Sequence, residues 1–189
     1  FDIVHGNDRH TIHLPLLGLH NVSNALAAAA TGIAAGMTLR MIAEALERVT
    51  SKSKWRMETT LLGNGATVIN DAYNANPESM AAALVTLSGF PGSRWAVLGG
   101  MRELGETEAD QHERIGAICA DLGIDHVVCV GELGEQFMPG AKAGKHAVWF
   151  PDYERAANYI VAKLTGNDTV LVKASRSEGL ERLAHMLID

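Results

Sequence analysis

Asp71, Tyr73, Asn74 and Asn76 crowd into the stretch DAYNANP, directly behind the apolar run ATVI and ahead of the helix-like run ESMAAALVTL. A strand-to-helix connection needs little more than a turn residue and a cap. Asn76 and Pro77 supply the cap and the first helical turn, which leaves Asp71, Tyr73 and Asn74 without a structural purpose. An aspartate at a strand end can accept two hydrogen bonds from a ribose diol, and a carboxylate facing a cleft is expected to support little packing. Lys173, Ser175 and Arg176 in KASRSEG follow another apolar run and precede a helix amino end. Cations beside free backbone N–H groups make an anion site; the alternative is a solvated loop with Ser175 or Ser177 as a cap. Asn21 and Asn24 in HNVSN stand one helical turn apart, on one face. Asn21 either caps that helix or forms with Asn24 an amide pair that can read the edge of a purine.

The elements that must position these groups are set by periodicity. FDIVHGNDRHTIHLPL reads as a hairpin around GND. A helix should start at or near Asn21 and end at Gly36, and a second, capped by Thr38, should bury Leu39, Ile42, Leu46 and Val49. The polar stretch TSKSKW breaks the pattern and is expected to be a boundary and hinge. Beyond it METTLLGNGATVIND forms a hairpin, and the apolar runs ATVI, RWAVLGG, HVVCVG, HAVWF and TVLVKAS alternate with amphipathic helices. Continuous apolar strands alternating with helices imply an α/β, doubly wound, mainly parallel sheet of Rossmann-like type. Ligands of such sheets gather at the carboxyl ends of the strands, where DAYNANP, GGMRELGE, VGELGE and KASRSEG all fall.

Composition narrows the classes. The 189 residues are 47% hydrophobic and 20% charged, enough for a sizeable core, and the formal charge of -6 offers no footprint for nucleic acid. No apolar run approaches the roughly 20 residues of a membrane span, so no membrane insertion is expected. Cys119 and Cys129 lie in a helical and a strand pattern, as buried free thiols of a reducing compartment. The eight histidines form no HExxH or helical pair, and His10 and His13 would sit on opposite faces of a strand, so no metal site is expected. Neither a GxGxxG nor a GxxxxGK[ST] phosphate loop occurs.

In order, LGLHNVSNALAAAA, DAYNANPESMAAAL, AVLGGMRELGE and LVKASRSEGLE resemble segments of the Mur ligases: G-x-HN-x-x-NALAA, D-[SA]-YNANP-x-SM-x-AAL, AVLGDM-x-ELG and LVKGSR-x-x-x-ME. Asparagines where sister ligases carry Ala-His point to the member that adds D-alanyl-D-alanine to UDP-MurNAc-tripeptide. Three positions depart from the pattern: Gly100 replaces Asp, Ala174 replaces Gly, and Trp55 replaces a Gly ahead of Arg56. Ala174 requires the KAS backbone to avoid positive φ.

The resemblance implies that residues 1–51 are the tail of a central ATPase domain and 52–189 a C-terminal domain, a piece of a larger protein, as the opening on Phe1 in strand-like sequence also suggests. It implies an ATP-dependent ligase acting through an acyl phosphate, with the phosphate loop and the Mg²⁺ ligands outside this stretch. The stretch alone would then be inactive and hold no catalytic residue. By resemblance Asn21 and Asn24 lie near adenine, Arg56 reaches ATP, and Asp71 binds ribose. Tyr73, Asn74, Asn76, Lys173, Ser175 and Arg176 are assigned to the dipeptide and the closed site. A cytoplasmic monomer is expected. A Rossmann-type nucleotide-binding module and a non-catalytic interaction domain of the same fold stay open as alternatives.

Overall fold

The computed structural model describes residues 1–50 and 53–189. They form two compact units, Phe1–Lys52 and Ser53–Asp189. The expected hinge TSKSK includes residues 51 and 52, which lie outside the described residues.

In the first unit β1 (Asp2–His5) and β2 (Asp8–Thr11) pair antiparallel across the two-residue turn Gly6–Asn7. Helix α1 spans Leu19–Ala34 and its N-cap is Gly18, earlier than expected. Asn21 is therefore not the cap; it lies in the first turn, where its Nδ2 donates to Leu17 O at 2.7 Å. Gly36, at φ 84, ends the helix as expected. Its N–H reaches Ile33 O at 2.9 Å and Met37 N–H reaches Gly32 O at 3.0 Å, a Schellman arrangement that satisfies carbonyls the helix leaves open. Helix α2 (Leu39–Glu47) is capped by Thr38, whose side chain accepts from Met41 N–H. Leu39 and Ile42 join Ile3, Ile12 and Ala29 in a small core with Leu46 against it, but Val49 lies past the helix end and is exposed.

The second unit is a six-stranded sheet in the order β3-β4-β8-β5-β6-β7. Strands β4 (Thr67–Asp71), β5 (Ser93–Gly99), β6 (His126–Val130), β7 (Ala147–Phe150) and β8 (Asp168–Lys173) are parallel, and β3 (Glu58–Leu61) closes one edge antiparallel to β4. Helix α3 (Pro77–Ser88) crosses from β4 to β5, α4 (Glu108–Asp121) from β5 to β6, and the short α5 (Met138–Ala141) stands before β7. Helix α6 (Tyr153–Val161) returns the chain to β8, which inserts between β4 and β5, and α7 (Glu181–Ile188) ends it.

Side chains alternate along each strand. Val68, Trp95, Val97, Val128, Val170 and Val172 point into one core layer, closed by Ala157 and Ile160 of α6 and Leu183, Ala184 and Leu187 of α7. The other parity, with Ile69, Leu98 and Leu171 fully buried, lies on the side of α3, which packs on β5 and β8 and against α4. Both cysteines are buried and free, and burial pushes the Cys119 thiol up to about 12. At the amino ends of β5 and β6, Asp125 receives hydrogen bonds from Lys145 Nζ at 2.5 Å and Arg94 Nε at 3.0 Å. Burial alone would raise its pKa, but the bonds from Lys145 and Arg94 outweigh that and hold it at about 2.

Candidate functional site

The carboxyl ends of β4, β8 and β5 lie side by side, and parallel register sets Asp71 directly across from Lys173. Lys173 Nζ donates to Asp71 Oδ2 at 2.6 Å and to Asn74 O at 2.9 Å, with the lysine side chain only 3% exposed. The other carboxylate oxygen accepts from Met57 N–H at 3.0 Å. Two sequence expectations change here. Lys173 belongs to β8 and is interior, because its counter-charge is the neighbouring strand's aspartate rather than a ligand at a loop. Asp71 is no structurally idle carboxylate, since it neutralises a buried ammonium and anchors the segment leading into β3.

Ser175 is also interior, 5% exposed, and it joins three loops. Its N–H donates to Gly100 O at 3.0 Å, its Oγ accepts from Arg102 N–H at 3.1 Å, and the same hydroxyl faces Ala75 O at 3.4 Å. The loops after β4, β5 and β8 are thereby one hydrogen-bonded body. Arg176 alone of the KASR group is exposed; its guanidinium lies 3.9 Å from the Trp55 ring centre and pairs with Glu181 at 3.0 Å. Beside it Arg56 stacks over the Tyr73 ring at 4.1 Å, and Tyr73 N–H donates to Trp55 O at 3.1 Å. Segment 55–57 thus straps onto DAYNANP. Asn76 takes the capping role: its Oδ1 accepts from Ser79 N–H at 2.8 Å, and Ser79 Oγ accepts from Asn76 N–H at 3.1 Å. Asn21 and Asn24 lie in the first unit, linked at 3.2 Å.

Each departure from the family pattern has a local counterpart. A Cβ on Gly100 would stand 2.6 Å from Leu133 Cβ, so the space for an aspartate is filled from the loop after β6. Ala174 is absent from the positive-φ positions, and its methyl is matched by Gly99, where an added Cβ would come within 2.8 Å of it. Trp55 does adopt φ 58, a left-handed conformation natural to glycine.

Sequence reasoning missed Arg102, Glu178, Glu181 and His112. Arg102 pairs with Glu178 at 2.6 Å across the mouths of β5 and β8, a partnership of residues distant in sequence. His112 had a signal: with Ile115, Gly116 and Cys119 it completes the buried stripe of α4, where a histidine must find partners. A groove of about 560 Å³ opens between α3 and α4, with Pro77, Glu78, Leu104, Gln111 and Arg114 among its walls. Among the described residues no three metal-ligating side chains converge.

A mainly parallel α/β sheet with its polar groups gathered at the carboxyl ends of the strands is the ligand-binding arrangement of doubly wound folds, and similarity to known proteins gives the family. The family model described as Mur ligase, glutamate ligase domain, matches residues 55–176, and the chain belongs to this family. The UDP-N-acetylmuramoyl-tripeptide–D-alanyl-D-alanine ligase of Mycobacterium tuberculosis (strain CDC 1551 / Oshkosh) is 36% identical over 98% of this chain and 41% of its own length. The ligase of the same name from Bacillus subtilis (strain 168) is 36% identical over 95% and 40%. Among solved structures, MurF from Acinetobacter baumannii superposes with a TM-score of 0.90 at 31% identity, covering 100% of this chain and 41% of that one. The chain thus spans about two fifths of the length of the relatives it matches.

Proposed function

We propose that this chain is the carboxy-terminal part of a UDP-N-acetylmuramoyl-tripeptide–D-alanyl-D-alanine ligase. The observation that carries the reading is 36% identity over 98% of the chain to a ligase of that name. The whole protein would phosphorylate the tripeptide carboxylate with ATP, and the dipeptide amine would then displace phosphate to form the amide. ATP and Mg²⁺ belong to the complete enzyme; the phosphate cradle and the metal ligands lie outside this chain. Nucleotide binding is supported by the Thermotoga maritima MurF structure, 26% identical, which was solved in complex with ADP.

Within this chain the work is binding and orientation. Asn21 and Asn24 serve adenine and Arg56 serves ATP. Asp71 serves ribose, because a carboxylate offers about four acceptor positions and Lys173 and Met57 occupy only two. Tyr73, Asn74, Asn76 and Arg176 face the dipeptide side of the edge, with Lys173 and Ser175 acting from beneath it. Residues 1–51 belong to the central domain and 52–189 to the C-terminal domain, in a cytoplasmic monomer.

The test is phosphate release and amide formation by the complete protein containing this chain. Turnover should require ATP, Mg²⁺, UDP-MurNAc-tripeptide and D-alanyl-D-alanine together, and the 189-residue chain alone should give none. Turnover by this chain alone, or a complete protein that accepts a single amino acid and refuses the dipeptide, would overturn the reading.

A further inference from the structure

His112 lies on α4 with no solvent exposure. Its Nε2 stands 2.9 Å from Met101 N, a backbone group that can only donate, so Nε2 carries the lone pair. Its Nδ1 stands 2.6 Å from Glu108 O, which can only accept, so Nδ1 carries the proton. Backbone groups at both ends of the ring therefore fix one neutral tautomer, and Phe137 packs against the ring at 4.7 Å between centres.

The amide that His112 receives is the first past Gly100, and the joined edge begins there. Gly100 O accepts from Ser175 N–H, Arg102 N–H donates to Ser175 Oγ, and that hydroxyl faces Ala75 O. A line of bonded groups runs from α4 through the β5 loop to the loops after β8 and β4. Met101 is itself fully buried, and among the described residues the pairing of β5 with β8 ends at Leu98, short of its N–H.

We propose that His112 is a positioning residue for the reaction: it touches no substrate, but sets the height of the β5 loop and hence of Ser175, Arg102 and the DAYNANP backbone. The kinetic part of this inference rests on the ligase reading.

The experiment compares His112→Leu, which keeps bulk without an acceptor, with His112→Gln, whose Oε1 can take the place of Nε2, both in the complete protein. In the Leu variant, exchange of the Met101, Arg102 and Ser175 amides should speed up about ten- to a hundredfold, the range for a buried amide losing its acceptor. kcat/KM for the dipeptide, measured well below the melting transition, should fall by a similar factor, because small displacements of positioning groups are amplified in rate. Gln should restore both to within about threefold of the unmodified protein. Unchanged exchange at Arg102 and Ser175 in the Leu variant overturns the proposal, and so does a folded Gln variant that rescues neither readout. If Leu does not fold, His112→Asn, whose shorter side chain withdraws the acceptor, takes its place against Gln with the same expectations. An unmodified protein without dipeptide-dependent turnover would instead overturn the ligase reading, and the exchange measurement would still decide whether His112 holds the edge.

Discussion

Replacing Asp71 by asparagine keeps the shape of the side chain and one carbonyl acceptor but removes its charge. Lys173, 3% exposed, is then left with the amide oxygen and Asn74 O in place of a carboxylate at 2.6 Å. Breaking one partner of a buried pair typically costs about 3–5 kcal/mol. The retained acceptor and the 14% exposure of Asp71 put this case at the lower end, about 3 kcal/mol. For a domain of this size that lowers Tm by roughly 6–12 °C, at about 2–4 °C per kcal/mol. Thermal unfolding followed by circular dichroism measures it, on Asp71→Asn, Lys173→Met and the double variant. A buried pair replaced as a unit by apolar or neutral groups is often close to neutral, so the double variant should be more stable than Asp71→Asn by about 2 kcal/mol. An Asp71→Asn variant that melts within about 2 °C of the unmodified chain refutes the reasoning, and so does a double variant in which the two losses simply add.

Trp55 at φ 58 sets strain against the stack with Arg176. Trp55→Gly should be near neutral, relief of about 1 kcal/mol offsetting a lost cation–π contact of similar size, whereas Trp55→Ala keeps the strain and loses the stack. Denaturant titration should separate the two by about 1 kcal/mol, and equal midpoints would refute the strain. The pKa of Asp125, about 2 in the fold against an ordinary 3.8, means that its bonds stabilise the protein above about pH 4. That contribution is lost as pH falls through about 2. Asp125→Asn should cost on the order of 1 kcal/mol at pH 7, screened by the solvent around Lys145, and converge with the unmodified chain near pH 2; a pH-independent difference would refute it.

The features legible in the chain are those encoded within a few residues. Thr38 and Asn76 cap their helices because an N-cap acts on a backbone N–H three residues on. The alternation of apolar runs with amphipathic helices likewise announces a parallel sheet. Asn21 looks like a cap in the sequence, yet the glycine before the helix, at φ 91, turns the chain without a side chain. The pairing of Asp71 with Lys173 is out of reach for a different reason. Strand order decides which loop ends become neighbours, and periodicity carries no information about order. Both residues stand out as chemically active, yet nothing local tells that each is the other's counter-ion. His112 hides in plain view, because a histidine in an apolar stripe shows that a partner exists without saying which.

The position of β8 has a consequence for how the protein is made. The strand at the middle of the sheet is the last of its six strands to be synthesised, and Lys173 lies 102 residues after Asp71. At about 5–20 residues per second a ribosome needs roughly 5–20 s to cover that distance. During this time β4 and β5 each present a bare edge that β8 covers in the finished fold, with the carboxylate of Asp71 still without Lys173. Exposed parallel edges invite pairing with other chains. A nascent chain stalled or truncated before Asp168 would therefore hold two sheet fragments without their seam, and quality control would meet it as an aggregating species rather than as a smaller folded domain.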